Sequence, residues 1–183
     1  KDAFAYEFVR LDCEAGKPFA QQQLLRMWRN HPAMRMTGIV HEHFREDALM
    51  KAAEGRKLFF TGMSFWHDGY ANTIAEPKLL RNLPLLEQEL ALRPDQPFIE
   101  GEIAKSKIAL KDPKGWNYLY ECTMKYVAQD HLDTAPDPRI ASLLFQFLTF
   151  VPESALNDPD TERVLRVCRG WFHDHPSLRF LCA

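Results

Sequence analysis

The sequence predicts an α+β protein with its two structural classes segregated along the chain, a β-rich first part and then a helical tail. Short runs rich in aromatic and β-branched residues crowd residues 3–70, the composition of half-buried strands. Leu79, Leu80, Leu83, Leu86 and Leu90 then take up three- and four-residue spacing, the apolar stripe of an amphipathic helix. Beyond them, junctions carrying Pro and Asp recur at helix-length intervals. The expected division is therefore residues 1–75 and 76–183. With 183 residues, 46% of them hydrophobic, the chain has enough apolar surface to bury a core.

The strand candidates are residues 3–11, 24–28, 34–40 and 58–66. The segment 12–18, with Gly16 and Pro18, reads as a loop, and Asn30-His31-Pro32 as a turn, so the first three strands are expected to be joined as hairpins. Good helix formers fill residues 45–54 and Gly55 is placed to end that helix, giving a β-β-β-α-β order. In the tail, Pro94-Asp95-Gln96-Pro97 separates the leucine-striped helix from one over residues 98–110. Lys111-Asp112-Pro113-Lys114-Gly115 precedes a helix over 116–129, Pro136-Asp137-Pro138 opens 139–150, and Asn157-Asp158-Pro159-Asp160 opens 161–173. Five successive helices with short junctions suggest stacked helical hairpins of a TPR-like kind with irregular spacing.

Composition excludes several functions. A net charge of −2, with both signs scattered along the chain, concentrates no field on a nucleic acid. Residues 140–151 are the longest apolar stretch, interrupted by Ser142, Gln146 and Thr149, and fall short of the ~20 residues that span a bilayer. Cys13, Cys122, Cys168 and Cys182 form no CxxC pair, which points away from a zinc ribbon and toward a reducing, cytoplasmic setting. The opening Lys-Asp-Ala-Phe has neither an initiator Met nor the features of a signal peptide, and is expected to lie inside a longer protein.

Arg26-Met27-Trp28-Arg29-Asn30-His31-Pro32 followed by Gly38-Ile39-Val40-His41-Glu42 resembles a pattern of bacterial family-2 glycosyltransferases, an R-L-F-R-N-x-P strand followed by G-x-[IV]-H-E. Trp66-His67-Asp68-Gly69-Tyr70 resembles that family's H-x-G-Y element. Lys78, Arg81-Asn82-Leu83, Leu86-Glu87 and Glu89-Leu90 resemble the helix that follows it. The resemblance covers residues 26 to about 97 and implies the C-terminal, acceptor-side part of a GT-A domain. It implies a hexosyltransferase-type enzyme using a nucleotide-sugar donor, an acceptor of unspecified class and a divalent metal, Mn²⁺ or Mg²⁺. No D-x-D follows an apolar strand, so the donor-binding half is expected elsewhere and this part is expected to be inactive alone. The acidic Asp137-Pro138 and Asp158-Pro159-Asp160 sites read instead as helix caps.

An inverting sugar transfer needs a carboxylate to take the acceptor proton and cations to hold the leaving diphosphate. The resemblance gives the first role to Glu42, whose plain alternative is a surface Glu opening a helix, and the metal role to His67 and His41, each otherwise a packed histidine. His43 has no counterpart in the family. Arg26 and Arg29 flank an apolar strand and are candidates for gripping the donor diphosphate with forked donors, or else for an ion pair with a neighbouring strand's Glu. Trp28 and Trp66 are acceptor-binding candidates by stacking on a sugar face, with core packing as the alternative. Gly69 and Tyr70 read as structural, Lys105, Lys107, Lys111 and Lys114 as solvated surface, and His173-Asp174-His175 as the end of a helix. Two rivals stand beside the glycosyltransferase reading. One is a non-catalytic module that docks a protein partner through the helical tail; the other is a metal hydrolase built on His41-Glu42-His43.

Overall fold

A computed structural model describes residues 3–14, 16–32, 34–40, 42–44, 51, 53, 55–67, 72–127 and 138–174. The protein is α+β and divides into two compact units, Lys1–Lys78 and Leu79–Ala183.

The first unit is built on β1 (Ala3–Glu14), β2 (Lys17–Trp28), β3 (Met36–Thr37), β4 (His43–Phe44) and β5 (Lys57–His67). β1 is central in a three-stranded sheet of order β2-β1-β5, antiparallel to β2 and parallel to β5. The expected loop at 12–18 is almost entirely strand, because Glu14 already pairs with Lys17 across a tight turn. β2 is more than twice its predicted length. Its first half carries the exposed Gln21, Gln22 and Gln23, which lack the apolar alternation that marks a half-buried strand. The predicted third hairpin strand does not join this sheet. The backbone turns away after Arg29, with Met34 N–H donating to His31 O, and only Met36–Thr37 forms a strand, paired with His43–Phe44. Of the predicted helix at 45–54 only Lys51 and Ala53 are described, and both are helical.

β5 carries a bulge. Glu7 pairs with Phe60 but Val9 with Ser64, so β5 uses two more residues than β1 between these pairs. Gly62 supplies the left-handed backbone at φ 70°, and Thr61 Oγ1 donates to Glu7 O (3.0 Å) while accepting from Met63 N–H (3.0 Å). The described core of this unit is small. Phe4 and Ala5 are buried beneath Leu25, Trp28, Met34 and Ala53.

The helices are α1 (Asn72–Leu92), within which the division between units falls, α2 (Pro97–Ala109), α3 (Gly115–Val127), α4 (Ala141–Phe150) and α5 (Pro159–Trp171). Leu86 is the buried anchor of the leucine stripe, whereas Leu80 is exposed. α2 contacts both α3 and α4, α3 contacts α4 and α5, and α4 contacts α5. That is the neighbour pattern of two stacked helical hairpins, though Pro97 and Ala141, which open successive hairpins, lie further apart in sequence than the about 34 residues of a tetratricopeptide repeat. Ala104, Leu119, Val127, Leu143, Leu144, Phe147, Val164 and Cys168 form the shared core.

α2 is buried on several faces at once, as a central helix must be, and its acidic residues are compensated. Glu100 pairs with Lys125 (3.1 Å) and Glu102 with Lys105 (2.6 Å). Gly115 opens α3 against the end of α2, where an added Cβ would lie 2.8 Å from Ile108 N. The predicted capping by Asp158 is positional only: it occupies the N-cap of α5 without a side-chain cap bond. Asp160 meanwhile accepts from Tyr120 and pairs with Arg163. α5 ends at Trp171, before His173 and Asp174, which pair with each other at 3.0 Å. No helix among the described residues is long and apolar enough to cross a membrane.

Candidate functional site

Parallel pairing of β1 and β5 brings the C-terminal ends of both strands to one edge of the sheet, and the bulge sets Asp12 directly opposite His67 there. His67 Nδ1 lies 2.9 Å from Asp12 Oδ1. Arg10, two residues earlier on the same face of β1, grips the same carboxylate, with Nε 2.8 Å from Oδ1 and its terminal NH₂ donating to Oδ2 at 3.1 Å. Asp12 is only 6% exposed, so its charge must be compensated, and a guanidinium together with an imidazole does so. An ionised carboxylate offers only acceptors, so the ring nitrogen facing it carries the proton. In the neutral imidazole that leaves the lone pair on Nε2.

Phe65 shares this face, two residues before His67, and the guanidinium of Arg26 lies over its ring, 5.6 Å from the centroid. Arg26 stands on β2 and Phe65 on β5, so the arginine side chain reaches across the central strand. One sheet face thus carries Arg10, Arg26, Asp12 and His67, with the charge of Arg10 balanced by Asp12 and that of Arg26 lying over Phe65.

The other candidates are placed elsewhere. Arg29 Nε donates to Ala3 O (2.8 Å) and its backbone N–H to Phe4 O (2.9 Å), which ties the end of β2 to the start of β1. From Phe4 to Asp12 is eight residues of extended chain, roughly 26 Å at about 3.3 Å per residue. Arg29 therefore does not share a ligand with His67. Trp28 packs on Phe4 and Ala5 at that same far end. Trp66, 63% exposed, precedes His67 directly in the strand and so presents its indole on the opposite face of the sheet. Glu42 is exposed and stands just before β4, not at the start of a helix. His43 belongs to β4, paired with Thr37. His41, Asp68, Gly69, Tyr70 and His175 lie outside the described residues.

No group of three or more His, Cys, Asp or Glu side chains able to hold a metal ion occurs among the described residues. Both oxygens of Asp12 are engaged by Arg10 and His67, so this carboxylate is already spent, and the imidazole of His67 by itself does not make up a metal site. Sequence reasoning missed Arg10 and Asp12. The signal was two charged residues at i and i+2 within the apolar run Phe8-Val9-Arg10-Leu11-Asp12-Cys13, which puts opposite charges side by side on one face of a strand.

The helical unit has its own titratable cluster. Burial, then the charge of Glu100, pushes the Cys122 thiol up to about 11, while a hydrogen bond from Tyr118 acts the other way. Burial and Glu100 likewise push Tyr126 up to about 12. Cys122 is therefore protonated at neutral pH and is not a nucleophile there. No family model and no curated protein matches this chain.

Proposed function

We propose that this chain is the acceptor-side part of a glycosyltransferase acting on a nucleotide-sugar donor, with its donor-binding half supplied by other polypeptide. The observation that carries the reading is His67 held by the buried Asp12 at the C-terminal edge of paired parallel strands, the rim at which open α/β sheets bind ligands. Arg26 gives the same face a positive charge of the kind that attracts a diphosphate, while the charge of Arg10 is balanced by Asp12. Glu42 serves as the base that takes the proton from the acceptor hydroxyl. His67 would contribute one ligand to a divalent metal whose remaining ligands would have to come with the donor-binding half, and that metal would supply charge neutralisation for the departing diphosphate. Arg29 and Trp28 maintain the sheet.

The test is nucleotide-sugar turnover by a polypeptide that contains this chain together with its donor-binding half, beside the 183-residue chain alone. Turnover is expected only in the former, with Glu42→Gln lowering kcat by about 10²–10⁴-fold. Full activity in Glu42→Gln would overturn the assignment of the base, and no turnover of any nucleotide sugar would overturn the class. The stacked hairpins of the helical unit favour a second reading, a non-catalytic module that docks a protein partner. Under that reading the Glu42 and His67 substitutions leave partner binding unchanged.

A further inference from the structure

We infer that the sheet face turned away from Asp12 and His67 is a binding platform for an uncharged oligosaccharide, with Trp66 and Phe60 as stacking rings and Gln21, Gln23 and Ser64 as hydrogen-bonding groups. The inference goes beyond the proposed function and does not depend on a transfer reaction, because this face lies away from the groups assigned to it. Pairing across the three strands fixes which residues share the face. Gln21 pairs with Leu11 and Leu11 with Trp66; Gln23 pairs with Val9 and Val9 with Ser64; Leu25 pairs with Glu7 and Glu7 with Phe60. The face therefore consists of three rows, each running from β2 over β1 to β5. The small core around Phe4 and Ala5 reaches Leu25, so the open part begins at that row, with Phe60 at its border. Trp66 is 63% and Phe60 55% exposed, and Gln21, Gln23 and Ser64 are exposed as well. The side chains of these three enter no hydrogen bond among the described residues.

The make-up of the rows decides the ligand. The β5 side is aromatic, while the β2 side carries primary amides, each with two donors and an acceptor. A packed layer of apolar protein would bury those amides without partners, at a cost of roughly 1–3 kcal/mol each. Single-stranded nucleic acid also stacks on aromatic rings, but it needs cations along its backbone. The three rows hold no Lys or Arg, and their one charge is the carboxylate of Glu7, which disfavours an anionic sugar too. A neutral saccharide matches what is left, with C–H faces for the rings and hydroxyls, both donors and acceptors, for the amides and Ser64. Glu7 and Leu11, the partners of Phe60 and Trp66, are four residues apart on β1, which sets the two rings about 13 Å apart at about 3.3 Å per residue. Two stations so separated call for a chain of sugars and not a single ring.

The experiment is titration of the 183-residue chain with the neutral hexamers cellohexaose, maltohexaose and chitohexaose and with the anionic hexagalacturonate, followed by nitrogen-15 NMR and by calorimetry. With at least one neutral hexamer at millimolar concentration, the side-chain amides of Gln21 and Gln23 and the indole N–H of Trp66 are expected to shift together. The matching disaccharide should bind more weakly, since it cannot reach both rings. Trp66→Ala should weaken binding about 10-fold and Gln21→Ala about 3-fold or more. Met27→Ala, an equally exposed apolar position paired with Tyr6 on the other face, should leave binding unchanged. The wild-type shifts need no substitution, so the outcome does not depend on any variant folding. No shift with any of the neutral hexamers overturns the inference. So does tighter binding of hexagalacturonate, or a loss in Met27→Ala equal to that in Trp66→Ala. None of these outcomes bears on pyrophosphate binding or sugar transfer, so this platform and the proposed function fail separately.

Discussion

Asp12 and His67 face each other because β5 spends two more residues than β1 between their N- and C-terminal halves, and Gly62 is where the extra length turns. Its φ of 70° is a conformation that residues with a Cβ adopt at a cost of about 1–2 kcal/mol. There is open space around the position, so a side chain meets no neighbour. Gly62→Ala is thus expected to lose about 1–2 kcal/mol in urea unfolding through backbone strain alone. A loss near zero would show that the bulge relaxes to another register.

Arg29 separates the two ends of the sheet in a second test. It is bound to the backbone at Ala3 and not to the face that holds His67. Arg29→Ala should cost about 1 kcal/mol, the worth of an exposed charge-assisted hydrogen bond, and leave pyrophosphate binding unaltered. Arg26→Ala should do the reverse, with little change in stability and weakened binding of pyrophosphate. Equal effects of the two substitutions on binding would contradict the separation along β1.

The helix junction at Gly115 yields a purely steric prediction. A methyl group there would lie 2.8 Å from Ile108 N and 3.0 Å from Ile108 Cγ1, and the backbone nitrogen cannot move aside as a flexible side chain would. Gly115→Ala should destabilise the protein by about 1–3 kcal/mol despite the better helix propensity of Ala. Gly101→Ala is the control: its nearest neighbours would be 3.6 Å away, an ordinary contact, so the same exchange on α2 should be neutral or stabilising. Thermal unfolding of the two variants side by side distinguishes them.

The helical tail was legible in the sequence because its signals are local. Leucine spacing and Pro-bearing junctions act within a turn or two of chain, and Pro97 and Pro159 do stand at the first turns of their helices. The sheet was less legible because its decisive facts are nonlocal. Gln21, Gln22 and Gln23 are strand residues only because β1 offers them a hydrogen-bonding partner, and nothing in Leu24-Leu25-Arg26 tells where that pairing begins. The candidate site shows the same limit. His67 was visible as part of a motif, but its orienting carboxylate is 55 residues away and became its neighbour through a parallel crossover and a bulge. Arg26 and Arg29 look equivalent in sequence, three residues apart. Their roles diverge because one side chain crosses the face of β1 while the other is spent on the carbonyl of Ala3.

Cys122 provides a pH-dependent test. Its thiol is pushed from the ordinary 9.0 up to about 11, first by burial and then by the charge of Glu100. At pH 8 the folded protein should present roughly 100-fold less Cys122 thiolate than an unfolded chain, a factor of ten for each pH unit of the shift. Alkylation by iodoacetamide, followed on the Cys122 peptide by mass spectrometry, should be correspondingly slow and rise toward a midpoint near pH 11. The linked stability has a definite sign. The folded state favours the protonated thiol, so the stabilisation is fully present below about pH 9 and is lost as pH rises through about 11. Glu100→Gln removes a charge that raises the value and should shift the alkylation midpoint down. Tyr118→Phe removes the hydrogen bond that lowers it and should shift the midpoint up. Midpoints that stay at the wild-type value in both variants would mean that burial alone governs the thiol and that neither Glu100 nor Tyr118 acts on it.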